Sequence, residues 1–307
     1  AKGQLLAQTT RLAKNMDYPF GIDELLAQIE DPEMDGAVRL ESLKILETKS
    51  IEAVHSKLDK LVMDKEFSIK SYALNTILKK DAKKGLTHLS SWIKSGKLSE
   101  KQWALRKLGD LNAAESNALL LENFNQVVSN KLNASLHLDV LIAMRKSQNA
   151  DLKAKISAYD SKLATSPAAI KHAASLHGGN VAKGKNLFLT HGTSQCVRCH
   201  KINGFGADVG PDLSTIGKDK SLDYILASVV DPNADVAPGF GLMSMTLKSG
   251  DTISGLWMKD DKKGITLKMA DGKLKLYEHS QIASKVKPMS GMPPMELLLK
   301  PDEIRDI

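Results

Sequence analysis

The chain has very little cysteine: two in 307 residues, at positions 196 and 199. A framework of disulfides is therefore excluded, and disulfides report nothing about the compartment. Long hydrophobic runs are also missing, and no segment approaches the ~20 apolar residues of a membrane-spanning helix. No compact basic run with interleaved aromatics is present. The formal net charge of +7 thus lacks a nucleic-acid footprint, and it reads as a solvated face that would suit an acidic partner. No signal peptide is visible, because Ala1-Lys2-Gly3-Gln4 opens straight into helix-like sequence, so the chain reads as a mature form or an excised piece. Paired carboxylates and a nucleophile–base constellation are missing too, which argues against an enzyme.

The length suffices for two ordinary domains. Residues 1–175 read as helix after helix, with apolar residues at helical spacing. One pattern recurs. Val38-x-x-x-Ser42-Leu43-x-x-Leu46 is followed by Ile69-x-x-x-Ala73-Leu74-x-x-Ile77, then Ala104-Leu105-x-x-Leu108, then Leu136-x-x-x-Val140-Leu141-x-x-Met144, at spacings of 31, 31 and 36 residues. Trp103 falls where the previous copy has Tyr72. Such a period predicts stacked helical pairs, a HEAT-like α-solenoid. An ordinary helical bundle with accidental periodicity is the alternative. Ser166-Pro167 and Leu176-His177-Gly178-Gly179-Asn180 punctuate the chain and place a boundary there, with a second domain over 176–307.

In that second domain Val181 to Leu189 reads as a helix, and residues after 200 read as glycine-rich and irregular through Gly217. A short helix follows from Leu222 to Val230. Alternating runs Leu242–Lys248, Thr252–Met258, Ile265–Met269 and Lys273–His279, separated by Gly-containing turns, predict a small antiparallel β insert over about 242–288.

Both cysteines lie in Cys196-Val197-Arg198-Cys199-His200. A C-x-x-C-H run reads as a covalent attachment site for one haem c. The thiols sit about one helical turn apart, as two thioethers on one porphyrin edge require, and the following imidazole is delivered to the iron. The same pentapeptide also fits a redox dithiol, which needs a βαβ setting, or half of a zinc site, which needs four ligands. Here His200 with His191 would have to complete the zinc set at poor spacing. The glycines at 204, 206 and 210 either let backbone pass close to a macrocycle or form a flexible loop, and they lack the lysine of a phosphate cradle.

Taken together, Gly184-x-x-x-Phe188, the C-x-x-C-H run, Gly204-x-Gly206, Gly210-Pro211-Asp212-Leu213, Val230-Asp231-Pro232-Asn233-Ala234, Ser290-Gly291-Met292-Pro293 and the acidic helix start Asp302-Glu303 resemble the C-terminal haem-binding domain of large planctomycete and verrucomicrobial c-type cytochromes. The resemblance covers about 178–307 and implies a class I cytochrome c-like fold. It further implies that the chain is the C-terminal part of a larger protein. His200 would be the proximal ligand and the Pro211 carbonyl its hydrogen-bond acceptor. Phe188 and Leu213 would pack on the porphyrin. Among seven methionines after the motif, Met292 occupies the distal-ligand place, with Met289 and Met295 as neighbours and His279 as the non-methionine rival. In class I cytochromes the last helix crosses the first. Here only Asp302–Ile307 remain for it, too few to hold a helix alone, so weakening of the domain is expected unless the protein continues beyond Ile307.

These readings point to electron transfer: electrons would come from a dehydrogenase, which the resemblance implies is a sugar-oxidising one, and go to a cytochrome or oxidase. Covalent haem attachment in bacteria takes place outside the cytoplasmic membrane, so the resemblance implies the periplasm. An open sixth site, giving a gas sensor or peroxidase, and a helical protein-interaction module are the alternatives.

Overall fold

The computed structural model describes residues 2–16 and 18–307, so the opening Ala1 lies outside the described residues. Two compact units emerge, one formed by 1–124 with 142–152 and the other by 125–141 with 153–307. The first is built from α1 (Lys2–Asn15), α2 (Ile22–Glu30), α3 (Gly36–Lys49), α4 (Ile51–Leu61), α5 (Phe67–Lys80), α6 (Ala82–Ser95) and α7 (Leu98–Leu108). The next three helices, α8 (Ala114–Val128), α9 (His137–Lys146) and α10 (Ala150–Leu163), contribute residues to both units.

Short polar breaks start several helices. Asp35, Ser50 and Asp81 each accept a hydrogen bond from a backbone N–H of the first turn they precede, of α3, α4 and α6 respectively. The recurrent positions of the sequence pattern are buried in all four copies: Val38, Leu43 and Leu46; Ile69, Leu74 and Ile77; Ala104, Leu105 and Leu108; Leu136, Val140, Leu141 and Met144. The copies begin successive helical pairs on α3, α5, α7 and α9. Consecutive first helices touch, α3 with α5 and α5 with α7.

Polar side-chain links tie the helices together: Arg11–Glu41 and Lys70–Glu100 each join residues 30 apart, and Arg39–Asp64 and Tyr72–Glu47 join residues 25 apart. Arg39 is buried, and its guanidinium donates twice to Asp64, at 3.0 and 2.5 Å, and once to the Ile29 carbonyl at 2.9 Å.

The second unit adds α11 (Ala168–Lys171), α12 (Val181–Thr190), α13 (Ile216–Asp219), α14 (Leu222–Val230) and α15 (Pro301–Asp306). Its helical core joins Leu226 and Val230 of α14 to Met295, Leu299 and Ile304. Tertiary contact holds the six residues of α15. α15 packs on α12 where Gly184 is buried, and a Cβ added there would lie 1.7 Å from the Asp306 carbonyl oxygen. Asp306 also accepts the Asn180 N–H at 2.9 Å. A buried ion pair, Arg305 Nη1 to Asp139 Oδ2 at 2.8 Å, fixes the same helix to α9.

Strands β1 (Lys201–Ile202) and β2 (Phe205–Gly206) make a hairpin in the segment expected to be irregular. The turn residues Asn203 and Gly204 both have positive φ, 49° and 79°, the condition of a type I′ turn. The insert is larger than the four expected strands. It comprises β3 (Gly241–Leu247), β4 (Thr252–Asp261), β5 (Gly264–Lys268), β6 (Leu274–Tyr277), β7 (Ile282–Lys285) and β8 (Met289–Ser290), in the order β6-β5-β4-β3-β7 with β8 also on β3. Register shifts at Thr246/Leu247 and Trp257/Lys259 bend it. Met243, Met245, Ile265, Leu267 and Tyr277 form one apolar cluster along a face of the sheet, with Ile282 of β7 packed against it.

Candidate functional site

The site begins where α12 ends. His191 turns the chain: its Nδ1 accepts the N–H groups of Ser194 at 3.1 Å and Thr193 at 3.3 Å. Gln195, at φ 45°, then feeds a 3-10 turn over Cys196–Arg198. The His200 N–H donates to the Cys196 carbonyl at 2.9 Å and the Cys199 N–H to the same oxygen at 3.1 Å. One turn thus carries both thiols and the imidazole. Cys196 is half-buried and Cys199 exposed, and neither forms a disulfide.

Three backbone hydrogen bonds lay the following loop back on this turn. Ala207 N–H donates to Val197 O at 3.1 Å, Gly210 N–H to Cys199 O at 2.6 Å, and Leu213 N–H to Lys201 O at 2.8 Å. The glycines are specific to this folding-back. A Cβ on Gly206, at φ 112°, would lie 2.2 Å from the His200 carbonyl oxygen. One on Gly210 would lie 2.7 Å from Cε1 and 2.9 Å from Nδ1 of the His200 ring. The imidazole therefore rests flat against backbone that has no room for a side chain.

The loop also brings an acceptor to that ring: His200 Nδ1 lies 2.8 Å from the Pro211 carbonyl. A carbonyl only accepts, so Nδ1 carries a proton, and in the neutral ring Nε2 is then the nitrogen that can ligate a metal. Asp212 and Ser214 brace the loop. The Ser214 hydroxyl and N–H donate to Asp212 Oδ1 at 2.5 and 2.8 Å and hold that carboxyl below the usual range, with Lys201 adding a smaller pull.

The sequence-predicted residues fall into two groups. Cys196, Cys199, His200, Pro211 and Leu213 are joined by the bonds just described. Phe188, half-buried, lies one turn beyond Gly184 on the same face of α12, and α12 packs on the cysteine turn. Met292, also half-buried, sits in the apolar cluster of α14 and α15, and its N–H donates to Ser290 Oγ at 3.1 Å. Met295 is buried in the same cluster, whereas Met289 is exposed on β8. His279 follows β6 instead of ending it, and its Nε2 is engaged by the Asp261 carbonyl at 2.9 Å. The role of His191 in shaping the loop was missed. Its position directly before the motif was visible, but nothing in the sequence signalled an N–H acceptor.

These residues fit a covalently held haem. Two thiols share one turn with an imidazole of the ligating tautomer, and a Cβ at Gly210 would destroy the fit. The other readings of the pentapeptide lack their settings: the surroundings are helix, 3-10 turn and hairpin, and among the described residues no three His, Cys, Asp or Glu side chains gather as a metal site. Residues 181–262 match the model of the protein family described as Cytochrome c. The matched stretch runs from the start of α12 into the β4–β5 turn and holds every predicted site residue except Met292. No curated protein matches the chain.

Proposed function

We propose that this cytochrome c domain carries one haem c, bound through Cys196 and Cys199, with His200 and Met292 as axial ligands, and that it relays single electrons between redox proteins. The observation that carries the reading is the Nδ1–Pro211 hydrogen bond on an imidazole seated against Gly210, inside residues that match the Cytochrome c family. A bound haem supplies a one-electron iron couple, whose potential follows its axial ligands and its shielding from water. The chain's residues do the rest. Pro211 fixes the imidazole and strengthens it as a donor. Met292 offers a thioether, a soft ligand that favours reduced iron. Phe188 and Leu213 present apolar surface to the porphyrin.

The donor is read as a dehydrogenase, a sugar-oxidising one if the planctomycete and verrucomicrobial resemblance holds, and the acceptor as a cytochrome or oxidase of the periplasm. Residues 176–307 are assigned to the haem domain and 1–175 to a HEAT-like scaffold; the contacts between consecutive first helices, α3 with α5 and α5 with α7, support the latter. Spectroscopy of the Met292→Ala variant is the test. The wild type should be six-coordinate and low-spin, with a far-red methionine-to-iron charge-transfer band that the variant loses. A band that survives refutes Met292 as ligand. A high-spin wild type that binds carbon monoxide refutes electron transfer in favour of ligand binding.

A further inference from the structure

The β insert opens and closes at one point. β3 starts at Gly241, β8 ends at Ser290, and these two residues pair. A Cβ on Gly241 would lie 2.6 Å from Val236 and 3.0 Å from Pro288, so the neck is closed tightly. The turn that ends α14 grips this neck. The Ala234 N–H donates to the Asp231 carbonyl at 2.9 Å, which projects Asn233 outward from the turn. Asn233 Oδ1 accepts the Ser290 N–H at 2.9 Å. Lys287 Nζ donates to the Asn233 and Ala234 carbonyls at 2.8 and 2.9 Å. Ser290 Oγ then accepts the Met292 N–H at 3.1 Å. A continuous chain of bonds thus runs from the end of α14 to the backbone of Met292.

We propose that Asn233 is a positioning residue for the Met292 sulfur: through Ser290 it latches the methionine loop to α14 and sets how readily the sixth ligand leaves the iron. The inference rests on the reading of Met292 as that ligand. Apart from these bonds the loop is held by the packing of Met292 in the α14–α15 cluster and by β8, which is only two residues long, with Met289 exposed beside it. Short, partly exposed segments of this kind open locally. External ligands reach the iron only in the open form, so their binding rate follows its population. Removing one hydrogen bond shifts such an equilibrium by roughly tenfold.

The test is the rate at which imidazole binds the ferric holoprotein, measured with the far-red band and with amide hydrogen exchange at Ser290 and Met292. Asn233→Ala should bind imidazole about tenfold faster, by the same equilibrium shift, with a weaker band and faster exchange at both amides. Asn233→Asp keeps the acceptor oxygen and should restore near-wild-type rates. If Asn233→Ala does not fold, Ser290→Ala, which removes the hydroxyl that holds Met292, should show the same direction. Imidazole rates unchanged in Asn233→Ala and Ser290→Ala overturn the latch. Met292→Ala separates the two ideas. If it retains the band and the wild-type rate, the ligand reading itself fails. If it loses the band while the latch variants behave as wild type, only the latch fails.

Discussion

Replacing Gly210 with alanine puts the site's geometry under direct strain. The added Cβ would meet His200 Cε1 at 2.7 Å, Nδ1 at 2.9 Å and Nε2 at 3.2 Å. Ordinary contact begins at 3.4 Å, so ring and loop must separate by roughly 0.7 Å. Neither side can give cheaply. The ring is tied to the Pro211 carbonyl at 2.8 Å, and Gly210 is tied to the Cys199 carbonyl at 2.6 Å. A displacement of that size stretches one of these bonds beyond the ~3.2 Å limit of a good N–H···O bond. Overpacking of this kind costs about 1–3 kcal/mol, and the lost bond adds about 1 kcal/mol. The expected destabilisation is therefore about 2–4 kcal/mol. Urea unfolding of the holoprotein reads it as a lower midpoint at unchanged slope, accompanied by an altered absorption spectrum. Gly217→Ala is the control: nothing lies within 4 Å of its Cβ and it sits in α13, so it should be neutral or stabilising by up to ~1 kcal/mol. A Gly210→Ala protein within ~0.5 kcal/mol of wild type, with its spectrum intact, would refute the cradle.

Gly184→Ala should be worse, because its Cβ would strike the Asp306 carbonyl; a loss of more than ~3 kcal/mol is expected, with faster amide exchange along α15, and unchanged exchange there would contradict the packing. Arg305→Ala removes one partner of the buried Asp139 carboxylate and should cost a large part of the ~3–5 kcal/mol of a broken buried pair, whereas Arg305→Met combined with Asp139→Leu should cost far less; equal losses in the two proteins would show that the ion pair is not the cause. For Asp64, burial pushes its carboxyl up, but the Arg39 guanidinium and the Glu66 N–H outweigh it and hold the carboxyl below the usual range; at Glu100 burial also pushes the carboxyl up, and the Lys70 ammonium and Lys97 N–H outweigh it and hold it low. Both groups are ionised more readily folded than unfolded, so their stabilisation is complete above the unfolded values near ~4 and is lost as pH falls through the lower folded values. Thermal melts of the protein should therefore show a falling Tm below about pH 4, less steeply in Asp64→Asn, and a Tm that holds constant there would count against these links.

Much of the architecture was legible because burial follows period. Leu43, Leu74, Leu105 and Leu141 repeat in the sequence at the places where first helices of successive pairs turn inward. The first four strands of the insert were legible for the same reason, within one to three residues at their ends. β7 was not: Ala283, Ser284 and Lys285 are exposed, so no alternation marks it, and its partner β3 lies more than thirty residues away. The hairpin of β1 and β2 has strands too short for any periodicity, although the Asn203-Gly204 dipeptide was a usable signal. The last helix shows the limit from the other side. Six residues cannot hold a helix by propensity; the backbone contact at Gly184 that holds it is tertiary. At the site, the motif named both thiols and the imidazole, while the Gly210 contact and the Asn233 latch depend on how distant segments meet.

The account stands or falls on covalent attachment. The protein should be purified from a host competent in cytochrome maturation, its intact mass measured, and its thiols challenged with an alkylating reagent. The account predicts a coloured protein heavier by one haem, with Cys196 and Cys199 both resistant to alkylation, and a colourless one of unmodified mass when both are replaced by serine. A colourless wild-type protein of unmodified mass, alkylated at both cysteines, would contradict it.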